Sequence, residues 1–271
     1  MSDTVRHDAI DDEPDAPVLL HRDGGVATLT LNRPAHMNAL DVPAAQAFHA
    51  CCVALANDAG VRAVVIKGAG RAFGVGGDLA CLRQDAAATA MALIEPLHRS
   101  IRLLTSMDAP VIACLHGAVA GGSMSLAMAC DLAIAADTAR FNLAYVNVGA
   151  SCDLSGSWHL PRLVGLRNAM AIALLGDGFD AAEALRLGLV NRVVPAAELD
   201  TVTMALAQRL AAGPTLAIGR TKRLLRQSFE HDLPTQLDLE RNNFRDSTRT
   251  ADFAEALGAF FAKRRPGFLG R

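Results

Sequence analysis

The chain has 271 residues, 51% of them hydrophobic and 20% charged, with a net charge of −2. That apolar share excludes a disordered chain, which cannot bury enough surface to offset its ordering entropy. The near-zero charge leaves no electrostatic footprint for nucleic acid, and the length fits one large domain or two small ones.

Residues 1–17 are polar and acidic (Asp8, Asp11, Asp12, Glu13, Asp15) and read as a solvated tail. They carry neither the basic nor the apolar region of a signal peptide, so a cytoplasmic setting is expected. No stretch is long and apolar enough to predict a membrane span. Val18 to Leu31 holds two apolar runs around Asp23-Gly24-Gly25, which predicts a hairpin. Val42 to Asn57 has a helical pattern with Pro43 in its first turn. Ala63 to Ile66 is a short continuous apolar run, expected of a strand covered on both faces. A glycine-dense loop from Gly68 to Gly77 follows, then a helix over Ala87 to Thr105.

The pattern then recurs. Val111 to Leu115 predicts a second buried strand, His116 to Gly122 a glycine loop, Ser123 to Cys130 a small-residue helix, and Leu132 to Ala136 a third strand. Repeated strand, loop and helix argue for an α/β core. Asp180-Ala181-Ala182-Glu183 has capping-box spacing. Gly213-Pro214 is the best internal boundary. It divides an 18–212 core from a helical 213–271 region that ends in Lys263-Arg264-Arg265, cations suited to a helix C-terminus.

The six cysteines have no CxxC or metal-ligand spacing and read as small apolar residues; no metal is expected. Gly68-Ala69-Gly70 and Gly74-Val75-Gly76 both fail the dinucleotide fingerprint, because Phe73 and Leu79 stand where its third glycine belongs. What remains are two loops that could expose backbone N–H groups, the second opening a helix whose dipole favours negative charge. Facing each other they would form an oxyanion hole; alternatively, the glycines serve only tight turns and close packing. Ser123, Ser125, Ser155 and Ser157 lie near His116 and His159, but none sits in G-x-S-x-G. His116 reads as a hydrogen-bonded core histidine. Asp153 stands in the uncharged stretch from Phe141 to Trp158, where partial desolvation would raise its pKa and suit a general base. A surface or capping aspartate is the plainer alternative. Asp78 reads as a cap or loop pin, and Asp131 as structural.

In order along residues 18–271, several motifs resemble those of the crotonase superfamily, the enoyl-CoA hydratase/isomerase group. They are Leu31-Asn32-Arg33-Pro34 with Asn38-Ala39-Leu40; Ala72-Phe73-Gly74-Val75-Gly76-Gly77-Asp78-Leu79; and Pro110 to Ala113 running through His116 to Gly122. Leu175-Gly176-Asp177 and Gly188-Leu189-Val190 continue the series. The resemblance implies a spiral of repeated ββα units with a C-terminal helical trimerisation region, assembled as a trimer or dimer of trimers. It implies acyl-CoA thioester substrates, with coenzyme A arriving as part of the substrate and no separate cofactor. The two enolate-stabilising N–H groups map onto Gly77 and Gly122, with Ala72, Gly76 and Asp78 around them.

Departures from the group are informative. The two glutamates by which enoyl-CoA hydratases resemble one another are matched here by Ser125 and Tyr145, the single tyrosine. Asp153 matches the catalytic aspartate of other members, and Val148 to Arg162 is most similar to the 1,2-epoxyphenylacetyl-CoA isomerases. In 4-chlorobenzoyl-CoA dehalogenases an aspartate at this position is a nucleophile. One carboxylate that removes a proton and returns it elsewhere suits an acyl-CoA isomerase, which moves a double bond or rearranges a ring epoxide. The alternatives are an enoyl-CoA hydratase using Asp153 and Tyr145, and a non-catalytic acyl-CoA-binding protein. The acyl pocket is expected to involve Leu82 to Ala92. Lys263 of a neighbouring subunit and, more weakly, Arg33 are candidates for the CoA phosphates; either could equally be a surface charge.

Overall fold

The structure, a computed structural model, describes residues 14–271. Residues 1–13 of the expected tail lie outside that range. Pro14 and Ala16 are held at the body's edge, where the Asn32 side-chain amide donates to both carbonyls at 3.0 Å.

The first hairpin forms as its turn residues dictate. β1 (Val18–Asp23) and β2 (Val26–Leu31) pair antiparallel, with Val18 opposite Leu31 and Asp23 opposite Val26. Asp41 then caps α1 (Val42–Ala56) by accepting the Ala44 N–H at 2.9 Å. β3 (Ala63–Gly68), the 21-residue α2 (Ala86–Ser106) and β4 (Val111–Leu115) follow. The expected loop from His116 to Gly122 contains a short strand, β5 (Ala118–Ala120), and α3 (Gly121–Ala129) begins two residues earlier than its pattern suggests. Three residues framed by glycines carry too little periodicity to signal a strand.

β6 (Leu132–Ala136) and β7 (Arg140–Asn142) lead to α4 (Gly156–Val164) and α5 (Leu166–Leu175). Next come β8 (Phe179–Asp180), α6 (Ala181–Leu187), β9 (Arg192–Val194) and α7 (Leu199–Ala211). Asp180 caps α6 through the Glu183 N–H. The Glu183 carboxylate, however, pairs with Arg186 at 2.6 Å instead of reaching back, so only half of the capping box forms.

Two sheets result. The larger runs in the order β1-β2-β3-β4-β6-β9, and from β2 onward every pairing is parallel. One face packs on α1, α2 and α3, and the other on α7 through Val65, Ile112, Ile134, Leu199 and Ala207. Coverage on both faces explains the unbroken apolar runs of the central strands. The smaller sheet runs β5-β7-β8. Isolated bridges extend it: Gly74 pairs with Val119, and Gly77 with Leu40. Successive turns of the chain thus give a long strand to one sheet and a short segment to the other before entering a helix. This is the repeating ββα spiral. All nine residues of α3 are buried, which Gly, Ala and Ser permit by letting backbones approach closely.

The C-terminal region is α8 (Thr215–Gln227), α9 (Leu233–Ser247) and α10 (Ala251–Phe261). A buried charge cluster anchors α8. Lys222 Nζ donates to the carbonyls of Leu104 and Ala109, both at 3.0 Å, and to Asp131 at 2.9 Å. Arg226 reaches the other Asp131 oxygen at 2.9 Å. Leu225, Leu233, Leu237, Phe244 and Phe260 on these helices, and Phe229 between α8 and α9, are left exposed. α10 ends before Lys263, which follows in a left-handed turn (φ 53°), and Arg264 binds Glu255 at 2.6 Å rather than capping the helix with a free charge. Among the described residues no helix is long and apolar enough to cross a membrane. No group of three or more metal-ligating side chains occurs there either.

Candidate active site

The smaller sheet opens where β5 turns into α3. Leu40 N–H donates to the Gly76 carbonyl and Asp78 N–H to the Leu40 carbonyl, both at 2.8 Å. Gly77 lies between these two bonds, so its own N–H points away from Leu40, as ladder geometry requires. On that side β5 would continue the ladder, as it does opposite Gly74, where Ala118 and Ala120 pair at 3.1 and 2.9 Å. Instead the chain has coiled into α3. Gly122, in the first helical turn, also has an N–H with no intrahelical acceptor. Among the described residues neither N–H has a hydrogen-bond partner, and both glycines line one cavity of about 600 Å³. Two unpaired donors at a helix N-terminus form an anion-stabilising hole.

Only glycine fits between the two loops. Gly76 has φ 90°, and a Cβ there would lie 2.8 Å from Gly122 N. The Gly76 N–H donates to buried Ser123 Oγ at 3.0 Å, tying the first loop to α3.

The remaining walls divide by chemistry. Val75, Leu82, Leu93, Ile94, Leu97 and Val148 give the cavity an aliphatic lining. The expected acyl wall therefore includes Leu82 and Ala90 and extends along α2 to His98. Asp153, Tyr145 and Cys152 also line the cavity. Tyr145 donates a short hydrogen bond to Asp153 Oδ1, and its oxygen lies 3.1 Å from Ser125 Oγ. Burial pushes the Asp153 carboxyl above its ordinary range, offset in part by the Tyr145 hydrogen bond and the nearby His98. Burial also raises the Tyr145 phenol, and the Asp153 charge adds to it. A Cβ at Gly122 would lie 3.6 Å from Asp153 Oδ1, so the carboxylate stands beside the hole. A group bound through its oxygen to the two N–H groups would have its adjacent carbon near this carboxylate.

Gly77, Gly122, Asp78, Tyr145 and Asp153 thus come together on one cavity. Asp78 caps the turn at Leu79–Leu82 by accepting the Ala80 N–H at 3.1 Å and faces Arg33 at 3.4 Å. Ala72, Gly76, Arg33 and Lys263 do not line the cavity. Ala72 is buried and shapes the first loop, its carbonyl accepting from Asn38 at 2.7 Å. Arg33 is engaged by Asp41 at 2.8 Å, which commits its charge within the chain. Lys263 is exposed beyond α10. His116 is half-buried rather than in the core, bonded to the Gly70 carbonyl at 3.0 Å. Asp131 is structural, as described. Ser123 and Ser125 are committed to Gly76 and Tyr145, which leaves no activated serine there.

Pattern reading missed His98. It lines the cavity, and its Nε2 accepts the Leu154 N–H at 3.2 Å. The available signal was a titratable residue one turn after Ile94, at the edge of the apolar stripe of α2.

Residues 21–271 match the family model for enoyl-CoA hydratase/isomerase. The chain is 36% identical over 258 residues to a 1,2-epoxyphenylacetyl-CoA isomerase of Escherichia coli (strain K12), covering 94% of this chain and 98% of that one. It is 32% identical over 256 residues to a short-chain-enoyl-CoA hydratase of Clostridium acetobutylicum, covering 94% and 98%. Among solved structures, an enoyl-CoA hydratase from Polaromonas sp. JS666 superposes with a TM-score of 0.88 at 33% identity, covering 93% of this chain and 99% of that one.

Proposed function

Since the chain belongs to the enoyl-CoA hydratase/isomerase family, with relatives named for both reactions, we propose that it is an acyl-CoA isomerase working through a thioester enolate. The observation that carries this reading is the single hydrogen-bonded line Ser125–Tyr145–Asp153. Where the hydratases would place two glutamates, two hydroxyls instead support one carboxylate. Asp153 takes a proton from the carbon next to the thioester. The negative charge moves to the thioester oxygen, held by the Gly77 and Gly122 N–H groups, and the protonated carboxyl returns the proton two carbons further on. The double bond shifts and Asp153 ends as it began. The same enolate-stabilising hole would serve rearrangement of a ring epoxide. Raised basicity suits Asp153 to both halves of the transfer.

Coenzyme A enters as part of the substrate, and no separate cofactor takes part. The exposed apolar side chains of α8, α9 and α10 support assembly as a trimer or a dimer of trimers. In that assembly Lys263 of a neighbouring subunit is a candidate for the CoA phosphates.

The test offers 2-enoyl-, 3-enoyl- and arylacetyl-CoA thioesters and weighs the products. Products of unchanged mass in ordinary water, with the double bond moved, support the isomerase. A gain of one water gives the hydratase. Tight binding with no proton exchange gives a non-catalytic acyl-CoA-binding protein.

A further inference from the structure

Asp153 opens a turn whose next two residues, Leu154 (φ 46°) and Ser155 (φ 63°), both lie in the left-handed region. Neither is glycine, so the conformation persists only where its surroundings hold it. Two histidines from different helices do so. His98 of α2 accepts the Leu154 N–H at 3.2 Å. His159 of α4 places Nδ1 2.9 Å from Ser155 Oγ.

The proton on His159 can be assigned. Its Nε2 lies 2.9 Å from Arg226 Nη1. A guanidinium only donates, so Nε2 accepts, and the ring proton sits on Nδ1, aimed at Ser155. The Ser155 hydroxyl donates in turn to the Leu154 carbonyl. Burial, with Arg226 second, holds His159 down at about 4, which keeps this neutral form at neutral pH. Arg226 is fixed by Asp131 and the Ala129 carbonyl, at 2.9 and 2.8 Å. A relay therefore runs from the buried charge cluster under α8 through His159 to the turn that follows Asp153. The Ser–His pair is oriented against nucleophilic use, since the histidine donates to the serine.

We propose that His159, with His98 opposite, is a positioning residue that locks the Leu154-Ser155 turn and so holds Asp153 against the cavity wall beside the Gly122 N–H. The proposal rests on the reading of Asp153 as the base. His159 does not line the cavity, so its effect on catalysis must pass through the turn.

The experiment follows solvent-deuterium exchange into a 3-enoyl-CoA, and its turnover, across pH in the full-length protein. In His159→Leu, kcat falls on the order of tenfold to a hundredfold with KM little changed, the expected range for a displaced catalytic group. The acid limb of the pH profile moves to lower pH, because a released Asp153 hydrates and regains ordinary acidity. His159→Asn keeps an N–H where Nδ1 stood and restores both. Ser155→Gly removes the acceptor without touching His159 and Arg226, folds readily because glycine accepts a positive φ, and reproduces the limb shift. A folded His159→Leu protein with native kcat and limb overturns the proposal. So does a lower kcat with an unmoved limb, which marks a structural role only. If His159→Leu does not fold, Ser155→Gly decides by the same two criteria. Asp153→Asn separates the readings. Turnover that survives in Asp153→Asn, or is absent from the native protein, overturns the base assignment and the positioning proposal with it. Loss in Asp153→Asn, with native behaviour in both turn variants, overturns the positioning role alone.

Discussion

The Tyr145 hydroxyl donates to Asp153 Oδ1, so the single tyrosine of the chain stabilises the charged form of the residue proposed as its base. That bond opposes the effect of burial on the carboxyl. Tyr145→Phe removes it and leaves Ser125 without this partner. Burial then acts with less opposition, and the acid limb of the pH profile of kcat moves to higher pH. A limb that stays in place or moves down contradicts the role given to Tyr145.

Asp153→Asn abolishes turnover yet stabilises the fold. The carboxyl's pKa is higher in the folded chain than its ordinary value of 3.8. The folded state therefore binds the extra proton, and stability falls as pH rises through the window from 3.8 up to the folded value. At neutral pH the ionised side chain destabilises the protein, and the asparagine removes that cost while still accepting from Tyr145. Thermal unfolding at pH 7 shows a higher Tm for the variant, and the difference shrinks toward pH 4. An equal or lower Tm at pH 7 refutes the sign.

Gly122→Ala separates folding from function. A methyl group at Gly122 meets Asp153, Leu154 and Tyr145 at 3.6 Å, ordinary contact distance. The variant should unfold at about the native temperature. The methyl group occupies the space between the helix N-terminus and the carboxylate, where a thioester would lie. Turnover falls on the order of a hundredfold or more, as when one donor is lost from such a hole. Calorimetry with an acyl-CoA shows whether affinity falls with it.

Asp131 is the strongest single point of failure under the C-terminal helices. It faces both Lys222 and Arg226, and the Lys222 side chain is only 8% exposed. Asp131→Ala leaves both cations without their carboxylate, a loss of about 3–5 kcal/mol by analogy with broken buried pairs. Denaturant titration measures it. Because the same aspartate orients Arg226, and through it His159, activity should decline before the whole chain unfolds.

Much of the spiral was legible because its central strands are covered on both faces and read as unbroken apolar runs, as Ala63 to Ile66 does. Asp41 and Asp180 likewise announce their helices by local hydrogen bonds. β5 was not legible, since three residues between glycines have no period to detect. The facing of Gly77 and Gly122 could be suggested by the loops, but their unpaired N–H groups follow from a ladder that ends at Ala120. The relation of His98 and His159 to Asp153 stayed hidden for a different reason. They lie 55 and six residues from Asp153 on separate helices, and their relation to it exists only after α2 and α4 close around one turn.

The bond from Gly76 N–H to Ser123 Oγ ties the two glycine loops directly to each other. The aliphatic wall is built otherwise: Leu79, which lines the same cavity, is more than half exposed. The chain therefore separates what must stay fixed from what can drift. Substitutions between residues 79 and 94 can retune which acyl group is accepted, while the geometry proposed to meet the thioester oxygen is inherited unchanged. The same division would let a selection experiment confined to that segment change substrate preference without losing the underlying proton transfer.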